Sequence, residues 1–85
     1  MSSFLLFFLL CIIKPMQEMI INSVQTLRQD KGLTQQELAE KVGVTRQTVI
    51  SIEKGNYTPS VLLALKLAQV FNVSVEDIFK ISYEK

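Results

Sequence analysis

At 85 residues, with nine Lys and Arg against eight Asp and Glu, the chain has room for one small domain and carries a net charge of +1. It has no histidine and one cysteine, Cys11, which excludes a serine–histidine triad, a histidine acid–base pair, a His-Glu zinc site and a disulfide framework. No enzyme, cofactor or metal is expected, and any basic surface must come from where the charges sit rather than from their sum.

Phe4 to Ile13, FLLFFLLCII, is an unbroken apolar run of ten residues ended by Lys14-Pro15. A bilayer span needs roughly 20 apolar residues. No basic stretch precedes the run and no small-residue cleavage pattern follows it, as a secretory signal requires. Leu9-Leu10 also lacks the small residue that processing at a lipoprotein cysteine needs. Residues 1–18 are therefore read as an apolar extension to a domain over residues 19–85. Three readings of it stand: upstream sequence ahead of a start at Met16 or Met19, a short membrane-associating anchor through residues 4–13, or a helix packed on the domain or on a partner. An exposed run of this kind promotes association.

From Met19 the punctuation becomes regular. Met19-Ile20-Ile21 favours a strand, and Asn22 is a candidate N-cap. Val24, Leu27 and Arg28 share one face of a first helix that stops at Gly32. Thr34-Gln35-Gln36-Glu37 reads as a capping box opening a second helix. Leu38, Ala39 and Val42 lie on one face of that helix, which Gly43 ends in a left-handed turn. Thr45 caps a third helix to about Lys54, with Val49 and Ile52 resuming the apolar pattern. Two short helices meeting at a tight turn form the layout that presents a second helix to the DNA major groove.

Gly55-Asn56-Tyr57-Thr58-Pro59 is a loop by composition. Ser60 then caps a fourth helix, Val61 to about Phe71, with a core stripe of Val61, Ala64, Leu65, Ala68 and Phe71. Leu62, Leu63, Leu67 and Val70 widen that stripe, so the helix is expected to be mostly buried. Ser74 opens a short fifth helix carrying Ile78 and Phe79, and Lys80 to Tyr83 alternates like a strand. Ile20-Ile21 and Ile81–Tyr83 can pair as a two-stranded antiparallel ribbon, which alone is marginal in water.

Leu27-Arg28, Thr34-Gln35, Glu37-Leu38-Ala39, Gly43-Val44, Arg46-Gln47-Thr48, Ile52-Glu53, Gly55 and Pro59-Ser60 occur together. On these residues the stretch from Val24 to Phe79 resembles the Cro/CI-type (XRE) helix-turn-helix regulators, most of all small single-domain members such as cytolysin repressors. The resemblance implies an all-α, five-helix, lambda-repressor-like DNA-binding domain, with the ribbon of the termini as a minor addition.

It also implies roles. Arg46, Gln47, Thr48 and Ser51 match base-contacting positions: Arg46 suits guanine O6 and N7, Gln47 suits adenine N6 and N7, and Thr48 suits a phosphate or a thymine methyl. Gln35, Thr45, Lys54, Asn56 and Tyr57 match the backbone-contacting set, which fixes register without reading sequence. Arg28 and Glu53 match a structural ion pair between the first and third helices. Each has a plainer alternative: Thr45 as a cap alone, Thr48 bonded to its own first turn, Gln35 as a good first helical residue, and Arg46, Gln47, Lys54 and Tyr57 as solvated surface. Ile50 departs from the usual polar residue and should face away from the core. It can touch a thymine methyl, support a partner interface or simply be tolerated. Leu62 is a second apolar oddity and a candidate for a dimer interface.

The function expected is sequence-specific regulation of transcription in the cytoplasm, at the nucleoid, by a homodimeric repressor on an inverted-repeat operator of double-stranded DNA. The rivals are an antitoxin-like regulator docking a partner protein through the fourth helix and the tail, and a membrane-tethered DNA-binding regulator.

Overall fold

The computed structural model describes residues 18–83. The apolar run, and with it the choice among readings of the extension, lies outside the described residues.

Five helices follow the expected order: α1 (Val24–Asp30), α2 (Gln35–Val42), α3 (Arg46–Glu53), α4 (Val61–Phe71) and α5 (Val75–Ile78). They are framed by an antiparallel ribbon of β1 (Glu18–Asn22) and β2 (Phe79–Tyr83), in which Ile20 faces Ile81 and Asn22 faces Phe79. The ribbon exceeds the expected pairing at both ends. Phe79 is extended, at φ −120° and ψ 132°, so it opens β2 instead of closing α5. Glu18 is already in β1, one residue ahead of the boundary read at Met19.

Short polar side chains set the helix starts. Thr34 and Glu37 form the reciprocal box: Glu37 N donates to Thr34 Oγ1 at 3.0 Å, and Thr34 N donates to Glu37 Oε1 at 2.8 Å. Ser60 caps α4 through Leu63 N at 3.1 Å, and Ser74 with Asp77 boxes α5. Asn22 serves α1 from one residue further out than a standard N-cap, because Ser23 intervenes; its Oδ1 accepts from Val24 N at 3.1 Å.

The core gathers Val24 from α1, Leu38, Ala39 and Val42 from α2, Val49 and Ile52 from α3, the inner side of α4, and Ile78. Ala39 is fully buried where α2 meets α3, at a point where a larger side chain would hold the helices apart.

The fourth helix corrects the expectation of near-complete burial. Its inward residues are Leu63, Ala64, Leu67, Ala68 and Phe71, whereas Val61, Leu62 and Leu65 are 76%, 64% and 51% exposed. At about 100° per residue the i, i+4 rows 63/67/71 and 64/68 span the single side that packs on the domain. Val61 and Leu65 fall on its flank. A hydrophobic residue does not bury itself where the domain is too small to cover both sides of a helix.

Gly43 takes φ +75° at the α2–α3 turn, and a Cβ there would meet nothing closer than Lys66 Nζ at 3.9 Å. The cost of Gly43→Ala is thus conformational rather than steric, about 1–2 kcal/mol for an L-residue held left-handed. The variant should melt lower by roughly 4–8 °C for each kcal/mol. Thermal unfolding followed by circular dichroism checks this, and an unaltered midpoint would show that the turn tolerates a right-handed residue.

Candidate nucleic-acid interface

Helix α3 begins where Thr45 turns the chain, its Oγ1 accepting from Thr48 N at 3.2 Å. The two threonine hydroxyls also pair, Oγ1 to Oγ1, at 3.0 Å. Thr45 and Thr48 therefore spend hydrogen-bonding capacity on the first turn of the helix. From that start the helical period separates two faces. Val49 and Ile52, each 1% exposed, anchor the inner one. The opposite face carries Arg46, Ile50 and Lys54 in one row and Gln47 and Ser51 in the next. Arg46, Gln47 and Lys54 are exposed, and Ile50 and Ser51 are half-buried. Ile50 thus sits amid the polar residues of the outer face, flanked by every side chain assigned to base reading except Thr48.

The back of α3 is tied by charge. Arg28 Nε donates to Glu53 Oε2 at 2.6 Å and Nη2 to Oε1 at 3.3 Å, with the side chains only 11% and 5% exposed. This two-point geometry fixes both distance and plane. Arg28 Nη1 also donates to Leu33 O at 2.8 Å, so one guanidinium holds the end of α1, the entry to α2 and the end of α3 together.

Gln35 joins the same network. Its Nε2 donates to Glu53 Oε1 at 3.1 Å, so one amide hydrogen is used inside the protein. The second amide hydrogen remains, and the N–H groups of the first turn of α2 point out of the helix end, where the dipole favours an anion. Nothing in the local pattern around Gln35 announces a bond to a residue eighteen positions away.

The C-terminus of α3 is closed by a Schellman arrangement: Asn56 N reaches Ser51 O at 2.9 Å and Gly55 N reaches Ile52 O at 2.9 Å. Gly55, at φ +81°, makes the reversal possible. Lys54, Asn56 and Tyr57 leave the helix on this loop, and all three are exposed. Arg46 and Lys54 form no ion pair among the described residues, which leaves both cations available to an anion.

Ile52 O has a second donor that sequence reading missed. Asn22 Nδ2 donates to it at 2.9 Å from thirty residues away, although Asn22 reads in the sequence only as a cap.

Comparison with known proteins agrees with this geometry. The helix-turn-helix family profile matches residues 24–78. The chain is 52% identical over 63 residues to the uncharacterized HTH-type transcriptional regulator YgzD of Bacillus subtilis, covering 74% of this chain and 96% of that protein. It is 30% identical over 60 residues to the cryptic phage CTXphi transcriptional repressor RstR of Vibrio cholerae, covering 71% and 54%. Among solved structures, the restriction-modification controller protein C.AhdI from Aeromonas hydrophila superposes with a TM-score of 0.59 at 33% identity, over 64% of this chain and 82% of that one. With its profile matched from α1 to α5 and half of the 63 aligned residues shared with YgzD over nearly all of that protein, the chain belongs to the XRE-type helix-turn-helix family of transcriptional regulators.

Proposed function

We propose that the protein is a sequence-specific DNA-binding repressor, acting in the cytoplasm as a symmetric dimer on an inverted-repeat operator. The observation that carries this reading is the two-faced third helix, which offers Arg46, Gln47, Ile50 and Ser51 outward while Val49, Ile52 and Glu53 lock it from behind. Arg46 reads guanine, Gln47 reads adenine, Ser51 contacts a base edge one turn on, and Ile50 meets a thymine methyl. Gln35 and the α2 N-terminus take one phosphate; Thr45, Lys54, Asn56 and Tyr57 line the neighbouring backbone. Occupancy of the operator is sufficient for repression, and a repressor is among the relatives.

The dimer rests on the apolar flank of α4. Val61, Leu62 and Leu65 are exposed together on this flank and form an apolar patch of the kind that marks an interaction surface. A two-fold axis there is to hold the two copies of α3 about one turn of DNA apart, roughly 34–36 Å. Hydroxyl-radical footprinting on a bound operator tests this: two protected patches on one face, one turn apart, are expected, and a single patch would contradict the dimer. Lys54→Ala should weaken binding to all sequences alike and lower the salt slope by about one. An unchanged slope removes Lys54 from the phosphate set.

A second reading, docking of a partner protein, draws on the same flank of α4 and on the exposed Ile20, Ile21 and Ile81 of the ribbon. A toxin gene directly adjacent to this one would favour it.

A further inference from the structure

The recognition helix is tied from a second direction. Asn22 closes β1 and uses both ends of its carboxamide: Oδ1 accepts from Val24 N at 3.1 Å, and Nδ2 donates to Ile52 O at 2.9 Å. Rotating the amide by half a turn would set oxygen against a carbonyl and nitrogen against an N–H, losing both bonds, so the orientation is unique. The next residue adds a third link, Ser23 N to Ile78 O at 2.9 Å. The start of α1, the end of α3 and the end of α5 therefore converge on two consecutive residues. Beyond this point β1 and the α3–α4 loop part around an open cleft of about 590 Å³, walled by Met19, Ile21, Lys54 and Gly55. Among the described residues, Asn22 is the side chain that bonds from the ribbon to the recognition helix. The Arg28–Glu53 pair, one residue from Ile52, ties α3 to α1, whereas the Asn22 bond ties the end of α3 to the ribbon.

We infer that Asn22 is a positioning residue for the recognition helix, setting the tilt of α3 from the ribbon and thereby the accuracy of base reading, an inference that rests on the DNA-binding function proposed above. Its two bonds can be separated by substitution. Asn22→Asp keeps the oxygen that caps α1 and removes the donor to Ile52 O. Asn22→Ala removes both. Each variant of the full chain is titrated against operator and scrambled duplexes, with far-ultraviolet circular dichroism to confirm folding and amide hydrogen exchange at residues 54–56 to report on the end of α3.

The Asp variant should keep its helicity, exchange faster at residues 54–56, and lose roughly tenfold or more of its operator-to-scrambled preference, as for one misplaced base contact. A new carboxylate near DNA weakens binding to both duplexes alike, so the ratio separates a tilt from a charge effect. A folded Asp variant with wild-type preference overturns the inference. If the wild-type protein itself shows no preference, the function proposed above fails. The tie is then judged by exchange alone, and unchanged protection at residues 54–56 overturns it.

Discussion

Replacing Arg46 or Gln47 by Ala should cut operator preference by about 5- to 150-fold while leaving helicity unchanged. Both side chains are exposed at the first turn of α3, and neither contributes to the core. Truncation therefore removes no packing, and helix propensity changes by only tenths of a kcal/mol. A bidentate contact to a base discriminates by about 1–3 kcal/mol, so each variant should lose about 5- to 150-fold in preference at its own position. Neither should alter binding to a scrambled duplex by more than the phosphate term, which Arg46 can share and Gln47 cannot. Competition titrations with singly substituted operators locate the position read. Retained discrimination by both variants would move the readout elsewhere, with Ser51 and Ile50 next in line.

The second large effect is on stability. Glu53→Ala leaves the Arg28 guanidinium charged and almost enclosed with only Leu33 O to satisfy it, and releases Gln35. Breaking a buried pair from one side costs about 3–5 kcal/mol. Against a total of about 5–15 kcal/mol for a domain, that is a large share. Denaturant unfolding should show the Glu53→Ala midpoint shifted far below that of the wild type, by an amount equivalent to about 3–5 kcal/mol. Replacing both partners by apolar residues, Arg28→Met with Glu53→Leu, should recover much of the loss, because the cost lies in the orphaned charge rather than in the missing attraction. Equal stability of the single variant and the wild type would show that water reaches the pair.

Helix boundaries and caps were legible in the sequence because each rests on a local rule. Thr34, Thr45, Ser60 and Ser74 all cap where the pattern placed them, and Gly43 turns where it was expected to. The ribbon was legible in outline, since Met19-Ile20-Ile21 favours a strand and Lys80 to Tyr83 alternates like one, but its full length depends on Phe79 leaving α5, which no local signal announces. The burial of α4 was misread because composition does not say how much domain there is to cover a helix. Val61 and Leu65 are as apolar as Leu63 and Leu67 and differ from them only in angle.

Within the candidate interface, the base-facing set on α3 came from the resemblance, and the helical period puts Arg46, Gln47 and Ser51 of that set on one outward side. The Gln35–Glu53 and Asn22–Ile52 bonds came from neither, because each joins residues far apart in the chain whose meeting is a product of tertiary packing. Local rules ended where side chains are held from a distance, and the equally distant Arg28–Glu53 pair was expected from the resemblance alone.

Sequence reading by α3 is tested most directly by fluorescence anisotropy of the full chain on DNA from upstream of its own coding sequence, beside a scrambled duplex, at two salt concentrations. A preference of about a thousandfold or more, ordinary for specific readout, is predicted, with both affinities falling as salt rises. Equal and weak binding to both duplexes would contradict it.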